Sequence, residues 1–383
     1  MDSTSSGSAS TTQEKERHPD MQKHHNSDSD SEKSINKQFS YRNIIGVLAL
    51  SFLLSGYLIY VSFDIDSFRL ITWTTSSLFL IVLAYLLLGV RHLAYMYRIR
   101  HITGNVLSWR QSFEVITLWL FSSAVTPSTV GGAAVAVYLL KKEKISVGKS
   151  ATTSMLTVFL DQALFAILAP LFTLLVSRHA MFAKDAGCRS QSDLPLMRVF
   201  HDIEIIYYFA YVFYLILVLG LAYGLFVNAG AFKSFLSSFF RLPFLRRWRD
   251  DAIQTGEDIL ETSLELKGKS PVFWLKAFGS TFVAWMALFF ISLCIIAAFF
   301  NADNLQWLVV MARQAVIWMI TLIPATPGGA GVAEISFSAL MCDLTSPGLV
   351  PIMALMWRMV SFYPYLLMGL IFIPRWMGRV YRR

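Results

Sequence analysis

Apolar runs of about 18 residues or more, the length a helix needs to cross hydrocarbon, recur along this chain. Two further apolar stretches are interrupted at their middle by the same residues. The first break reads Thr126-Pro127-Ser128-Thr129-Val130-Gly131-Gly132, and the second reads Thr326-Pro327-Gly328-Gly329-Ala330-Gly331-Val332-Ala333-Glu334. Proline and paired glycines are the residues least suited to a helix interior. In a bilayer such breaks persist only where protein or a water-filled cavity satisfies the freed backbone groups. Two matched breaks, one in each half of the chain, are the pattern of a transporter built from repeats.

Composition agrees. Of 383 residues, 55% are hydrophobic and only 15% charged, with a mean hydropathy of +0.53. A polytopic membrane protein follows. The net charge of +8 sits beside the apolar runs, where it orients helices by the positive-inside rule, and does not point to a nucleic-acid partner. The longest polar loop, 230–271, has no Gly-rich phosphate motif, nucleophile elbow or metal-ligand cluster. Enzymatic activity, cofactors and metals are therefore not expected.

Read in order, residues 1–40 are polar and Ser-rich and are expected to form a disordered cytoplasmic tail. His24-His25 in it reads as solvated side chains. Spans are expected at 44–63, 70–90, 150–176, 203–228, 271–300 and 349–374. Arg91, Arg98, Arg100 and Arg110 would form a basic inner loop after the second. Residues 113–140 are flanked by basic residues on both sides, and 306–341 by segments without Lys or Arg. Each of these should dip into the membrane and return to its own side. The expected fold class is an all-α polytopic membrane protein with six spanning helices plus two re-entrant hairpins in an inverted repeat. Its halves, 41–229 and 271–383, are joined by a cytoplasmic surface helix or loop at 230–270, and both termini are placed in the cytoplasm. Cys188 and Cys342 fall on the same outer side, which is compatible with a disulfide that spacing alone does not decide.

Asp161 lies 29 residues after Gly132, and Arg358 lies 29 residues after Gly329. Equivalent positions in the two halves thus carry opposite charges. Asp161, Arg313, Glu334 and Arg358 are costly in hydrocarbon and are expected to face the interior, where they set charge and gating. An Asp161–Arg358 ion pair joining the halves is the structural alternative. Glu334 is read as the floor of a site, a proton carrier or a salt-bridge partner. Thr before Pro suits an N-cap followed by the first helical residue, so each second arm would begin near mid-bilayer with its electropositive end free. Two such ends would form an anion-attracting site suited to a lipid phosphate. Thr126, Pro127, Gly131, Gly132, Thr326, Pro327, Gly328 and Gly329 would cradle it, with Glu334 at the floor. Close packing of small residues is the alternative reading of the breaks. Glu114 is expected at a solvated interface, and Trp73, Tyr95, Tyr97 and Trp376 as interfacial belt residues.

The run from Pro327 to Glu334 resembles the Pro-Gly-Gly-x-Gly-x-x-Glu motif of the lysylphosphatidylglycerol synthase transmembrane-region family. That family includes the flippase domain of the bacterial multiple peptide resistance factor. Thr126-Pro127 through Gly131-Gly132, followed by Tyr138-Leu139-Leu140-Lys141-Lys142, is similar to its first-half motif, and Arg358 matches an arginine of its last span. Where the first half often has an acidic residue followed by arginine, this chain has Asp161-Gln162. The resemblance covers about 41–380. It implies a flippase-like protein acting on phospholipid or isoprenoid-linked lipid, in a bacterial cytoplasmic membrane. The family's synthase chemistry belongs to a separate aminoacyl-transfer domain that is not expected here. Two other readings stay open: an ion-coupled carrier of a small anionic solute, and a non-transporting accessory subunit of a lipid-modifying or glycosyl-transferring enzyme.

Overall fold

A computed structural model of the chain describes residues 73–126, 129–183, 203–228, 266–300, 304–321, 326–345 and 349–381, with isolated residues at 49, 53, 56, 57, 60, 230 and 234. The chain divides into Met1–Leu48 and Ala49–Arg383. The first unit lies outside the described residues, as do most of the expected first span and most of the expected surface helix at 230–270.

The described elements are all helical. They are α1 (Thr75–Ile102), α2 (Trp109–Val125), α3 (Thr129–Lys142), α4 (Val147–Leu175), the short α5 (Arg178–Met181) and α6 (Ile203–Ala222). Then come α7 (Pro271–Ala297), α8 (Asn304–Ile320), a 3-10 turn (Pro327–Gly329), α9 (Val332–Met341), α10 (Val350–Ser361) and α11 (Tyr363–Tyr381). Five segments are long and apolar enough to cross a membrane: Thr75–Ile102, Val147–Leu175, Ile203–Val227, Pro271–Ala297 and Val350–Val380. They correspond to the last five of the six expected spans. The protein is an integral membrane protein of helical class.

Local chemistry sets the helix ends. Thr74 and Ser77 form a capping box at α1, and Ser108 and Gln111 form another at α2. Ser270 caps α7, and Pro271 follows at the first turn, where its missing N–H costs nothing. α1 runs to Ile102, well beyond the expected end at Val90, so Arg91 and Arg98 belong to the helix and not to a basic loop. They sit with Tyr95 at i, i+4 and i+7, one face of a helix. That face is buried, which is why the charges do not end the span. The last span is bent: Phe362, between α10 and α11, has φ −125° and ψ −55°. Pro364 two residues later disfavours helical geometry at Tyr363 and removes the N–H due to the previous turn.

α1 and α7 make the most extensive helix–helix contact among the described residues. They run antiparallel. Ser77 Oγ donates to the Ala298 carbonyl (2.5 Å) at one end, and the His101 ring meets the Phe273 carbonyl (3.1 Å) at the other.

Each broken segment folds back on itself. In α2–α3, Gln111 donates to Glu143 at 2.7 Å. Nearer the break, a Cβ on Gly132 would lie 3.0 Å from Ser123 Cβ and 3.1 Å from Ser123 Cα. In α8–α9, Arg313 Nη1 donates to the Leu340 carbonyl at 2.5 Å, while Gly329 faces Thr321 near the break. Both segments are therefore hairpins with paired bases and breaks at their tips. The base of α2–α3 holds Glu143, just before α4 begins, and the base of α8–α9 holds the Ala180 carbonyl, just after α4 ends, through Arg313 Nε (2.8 Å). α4 is 29 residues long, about 43 Å at about 1.5 Å per residue. The hairpins thus open toward opposite ends of α4.

Candidate functional site

The two tips meet. A Cβ on Gly328, at the second tip, would lie 2.9 Å from the Ala124 carbonyl oxygen in the first hairpin. Gly328, Gly329 and Gly331 all have positive φ (59°, 65° and 84°), a backbone that glycine adopts at least cost. Beside this junction lies a cavity of about 450 Å³. Thr126 and Ala133 line it from the first hairpin, and Thr326, Gly328 and Gly329 line it from the second. Arg91, Arg98, Asp161 and Arg358 reach it from spanning helices, among four tryptophans: Trp119, Trp285, Trp318 and Trp357.

Two charge pairs border the cavity. Arg98 Nη1 donates to Asp161 Oδ1 at 2.6 Å and to Thr281 Oγ1 at 2.9 Å, and Trp285 Nε1 also donates to Asp161 at 2.9 Å. Three spanning helices, α1, α4 and α7, are tied at this carboxylate. On the other side Arg358 Nε donates to Glu334 Oε1 at 3.0 Å, and its Nη2 reaches the carbonyls of Gly328 and Gly329, both at 3.1 Å. Glu334 Oε2 accepts from the Gly331 N–H at 2.8 Å. The Asp161–Arg358 pair that stood as the structural alternative is not formed: Asp161 bonds Arg98, and Arg358 bonds Glu334.

The chemistry of the tips differs from the expectation. Thr126 ends the first arm instead of beginning the second: it is the C-cap of α2, and its hydroxyl donates to the Ser122 carbonyl at 2.8 Å. α3 starts only at Thr129. α9 starts at Val332, and the Glu334 carboxylate occupies its N-terminus. That positive end is answered by a side chain of its own helix, so it is not free for a ligand. At the second tip Arg358 binds glycine carbonyls. Pro127 lies outside the described residues, and Gly131 and Pro327 are described only by their backbone.

Other expected positions move as well. Arg313 does not line the cavity. It is buried at the base of the second hairpin, bound to Asp343 at 2.5 Å and to the Leu340 and Ala180 carbonyls. A cation on the last carbonyls of α9 is a helix C-terminal device. Tyr95 and Trp376 are buried and not belt residues, whereas Trp73 is 66% exposed. Glu114 is 3% exposed and not solvated. It accepts from Arg379 (2.5 Å) and Arg110 (3.2 Å).

Sequence reading overlooked two groups. Arg91 lies over the rings of Tyr95, Tyr365 and Trp285, at 5.2, 5.7 and 5.8 Å from the ring centres. Its spacing from Arg98 within an apolar run was the signal that could have found it. The second group is a network at the base of the first hairpin. Arg379 bridges Glu114 and Glu143, and Glu143 also accepts from Trp376 Nε1 (2.9 Å) and Gln111. Burial pushes the Glu143 carboxyl up, but hydrogen bonds from Arg379, Gln111 and Trp376 outweigh it and hold it below the usual range. No sequence pattern joins residues 114, 143 and 379. Cys342 is disulfide-bonded, while Cys294 is free and buried.

An all-helical membrane protein with two opposed hairpins around a charged interior cavity is the class that fold and site define. The family profile described as "Lysylphosphatidylglycerol synthase TM region" matches residues 45–369, and the chain belongs to that family. It is also similar to a "UPF0104 membrane protein" of Archaeoglobus fulgidus, at 23% identity over 317 residues, covering 79% of this chain and 88% of the relative.

Proposed function

We propose that this protein is a flippase-type lipid translocase that holds an anionic lipid headgroup in the cavity between its two hairpin tips. The observation that carries this reading is the meeting of two opposed hairpins at one cavity bordered by charged side chains. α2 and α3 have 17 and 14 residues, about 26 and 21 Å at about 1.5 Å per residue, against a hydrocarbon core of about 30 Å. α8 and α9, with 17 and 10 residues, are about 26 and 15 Å by the same rise, so both hairpins are re-entrant, in an inverted repeat, and α1 and α7 are its equivalent antiparallel pair. Alternating access would come from one half rocking against the other around the site.

The cavity volume falls in the usual range for a bound small group. Part of its wall is apolar and half-exposed, at Leu120, Val158, Leu217 and Leu221. Such a wall suits lipid tails that stay in the bilayer while the headgroup moves. This supports a lipid over a small solute. Basic residues beside the spans favour a cytoplasmic membrane with both termini inside. Phospholipid and isoprenoid-linked lipid both fit the site's chemistry.

Headgroup-labelled phospholipid in proteoliposomes tests the reading. The wild type should move label between leaflets faster than protein-free vesicles, and Arg358→Lys should be slower at equal folded protein. No movement above protein-free vesicles overturns the proposal. Uptake of a soluble anion without lipid movement would favour the carrier reading, and a stoichiometric enzyme partner with no transport would favour the accessory one.

A further inference from the structure

Three arginines border the cavity, Arg91, Arg98 and Arg358, but only two carboxylates answer them. Asp161 is engaged by Arg98, and Glu334 by Arg358. Arg91 is 5% exposed and has no carboxylate partner among the described residues. Its Nε has no hydrogen-bond partner, and its polar contacts are with tyrosine hydroxyls alone, Tyr95 at 3.4 Å and Tyr365. The aromatic faces around it soften the charge but do not cancel it. A cation at membrane depth that no carboxylate bonds is costly and marks a functional position.

Other cavity-lining residues share this deficit. The indole nitrogens of Trp318 and Trp357 and the hydroxyl of Thr326 also lack partners. Indole N–H and guanidinium groups only donate, so the complementary ligand is rich in acceptors and negatively charged. Of the two helix N-termini that sequence reading assigned to this task, that of α9 is already occupied by Glu334.

We propose that Arg91 is the residue that receives the ligand's negative charge, and that the cavity selects a headgroup bearing one such charge over one bearing two. One unmatched cation balances one anion. A phosphodiester carries a single charge, whereas a phosphomonoester carries about 1.5 to 2 at neutral pH. The proposal rests on the same cavity as the translocase reading, but it concerns binding alone.

The test uses purified full-length protein in detergent, with short-chain phosphatidylglycerol, short-chain phosphatidic acid, short-chain diacylglycerol and inorganic phosphate as probes. Binding is read from quenching of tryptophan fluorescence. Phosphatidylglycerol should bind the wild type at least tenfold more tightly than the other three. Arg91→Met should lose at least tenfold, and Arg91→Lys should fall between. Arg91→Met should also melt no lower than wild type, since it removes a buried charge that no carboxylate answers; a residue of merely structural value would lower the Tm. Equal binding by wild type and a folded Arg91→Met, equal binding of diester and diacylglycerol, or tighter binding of phosphatidic acid or phosphate overturns the proposal. If Arg91-dependent binding is found without lipid movement, the translocase reading fails and this one stands. If Arg91→Met binds and moves lipid like wild type, this one fails and the translocase reading stands.

Discussion

Glu334 and Arg358, 24 positions apart in the chain, meet at 3.0 Å with 1% and 2% of their side chains exposed. The pair ties the start of α9 to α10, and through the Gly328 and Gly329 carbonyls it also fixes the second tip. Removing one partner leaves the other charge buried and alone, which costs about 3–5 kcal/mol. Glu334→Gln should therefore lower the melting temperature sharply in detergent. Glu334→Met with Arg358→Met should recover much of the loss, though not the cap on Gly331. Thermal unfolding of the two single variants and the double variant checks this, and a double variant less stable than either single one would contradict it.

The first hairpin depends on a small residue where its arms cross. A Cβ on Gly132 would meet Ser123 Cβ at 3.0 Å and its Cα at 3.1 Å. Gly132→Ala should force the arms apart at a cost of about 1–3 kcal/mol. Ser123→Gly, which clears most of that space, should restore part of the stability in the double variant. Additive effects in a thermal-melt double-mutant cycle would mean that the two positions do not touch.

Acid should loosen the base of the first hairpin. The Glu143 carboxyl is held below its ordinary value in the folded protein. Its contribution to stability is then complete above the unfolded value, about 4.3, and is lost as pH falls through that value toward the lower folded one. Arg379→Gln removes the partner that contributes most to the shift. Melting temperature followed from pH 7 down to pH 3 should fall less steeply in that variant than in wild type.

Arg313 should prove to be a support and not a gate. It stands off the cavity, bound to Asp343 and to carbonyls at the end of α9. Arg313→Leu should lower stability by about 3–5 kcal/mol, as when one partner of a buried pair is removed. Lipid movement per folded molecule should change less than about twofold. A severe transport defect in well-folded Arg313→Leu would restore the gating role expected from sequence.

Apolar length and the two Thr-Pro/Gly-Gly breaks determined the helical membrane class, five of the described spans and the places where two segments turn back. Those features are local, and hydrocarbon leaves a chain little choice but to satisfy its backbone within helices. The equal 29-residue spacings gave Asp161 and Arg358 equivalent positions in the two halves, and it is the tertiary structure that brings both to one cavity. Only the tertiary structure decided which charges answer each other: Arg98 took Asp161, Glu334 took Arg358 and a helix N-terminus, and Arg91 was left over. Partner choice is a contest of distances among groups far apart in the chain, and charge balance in a buried site emerges only when that contest is settled.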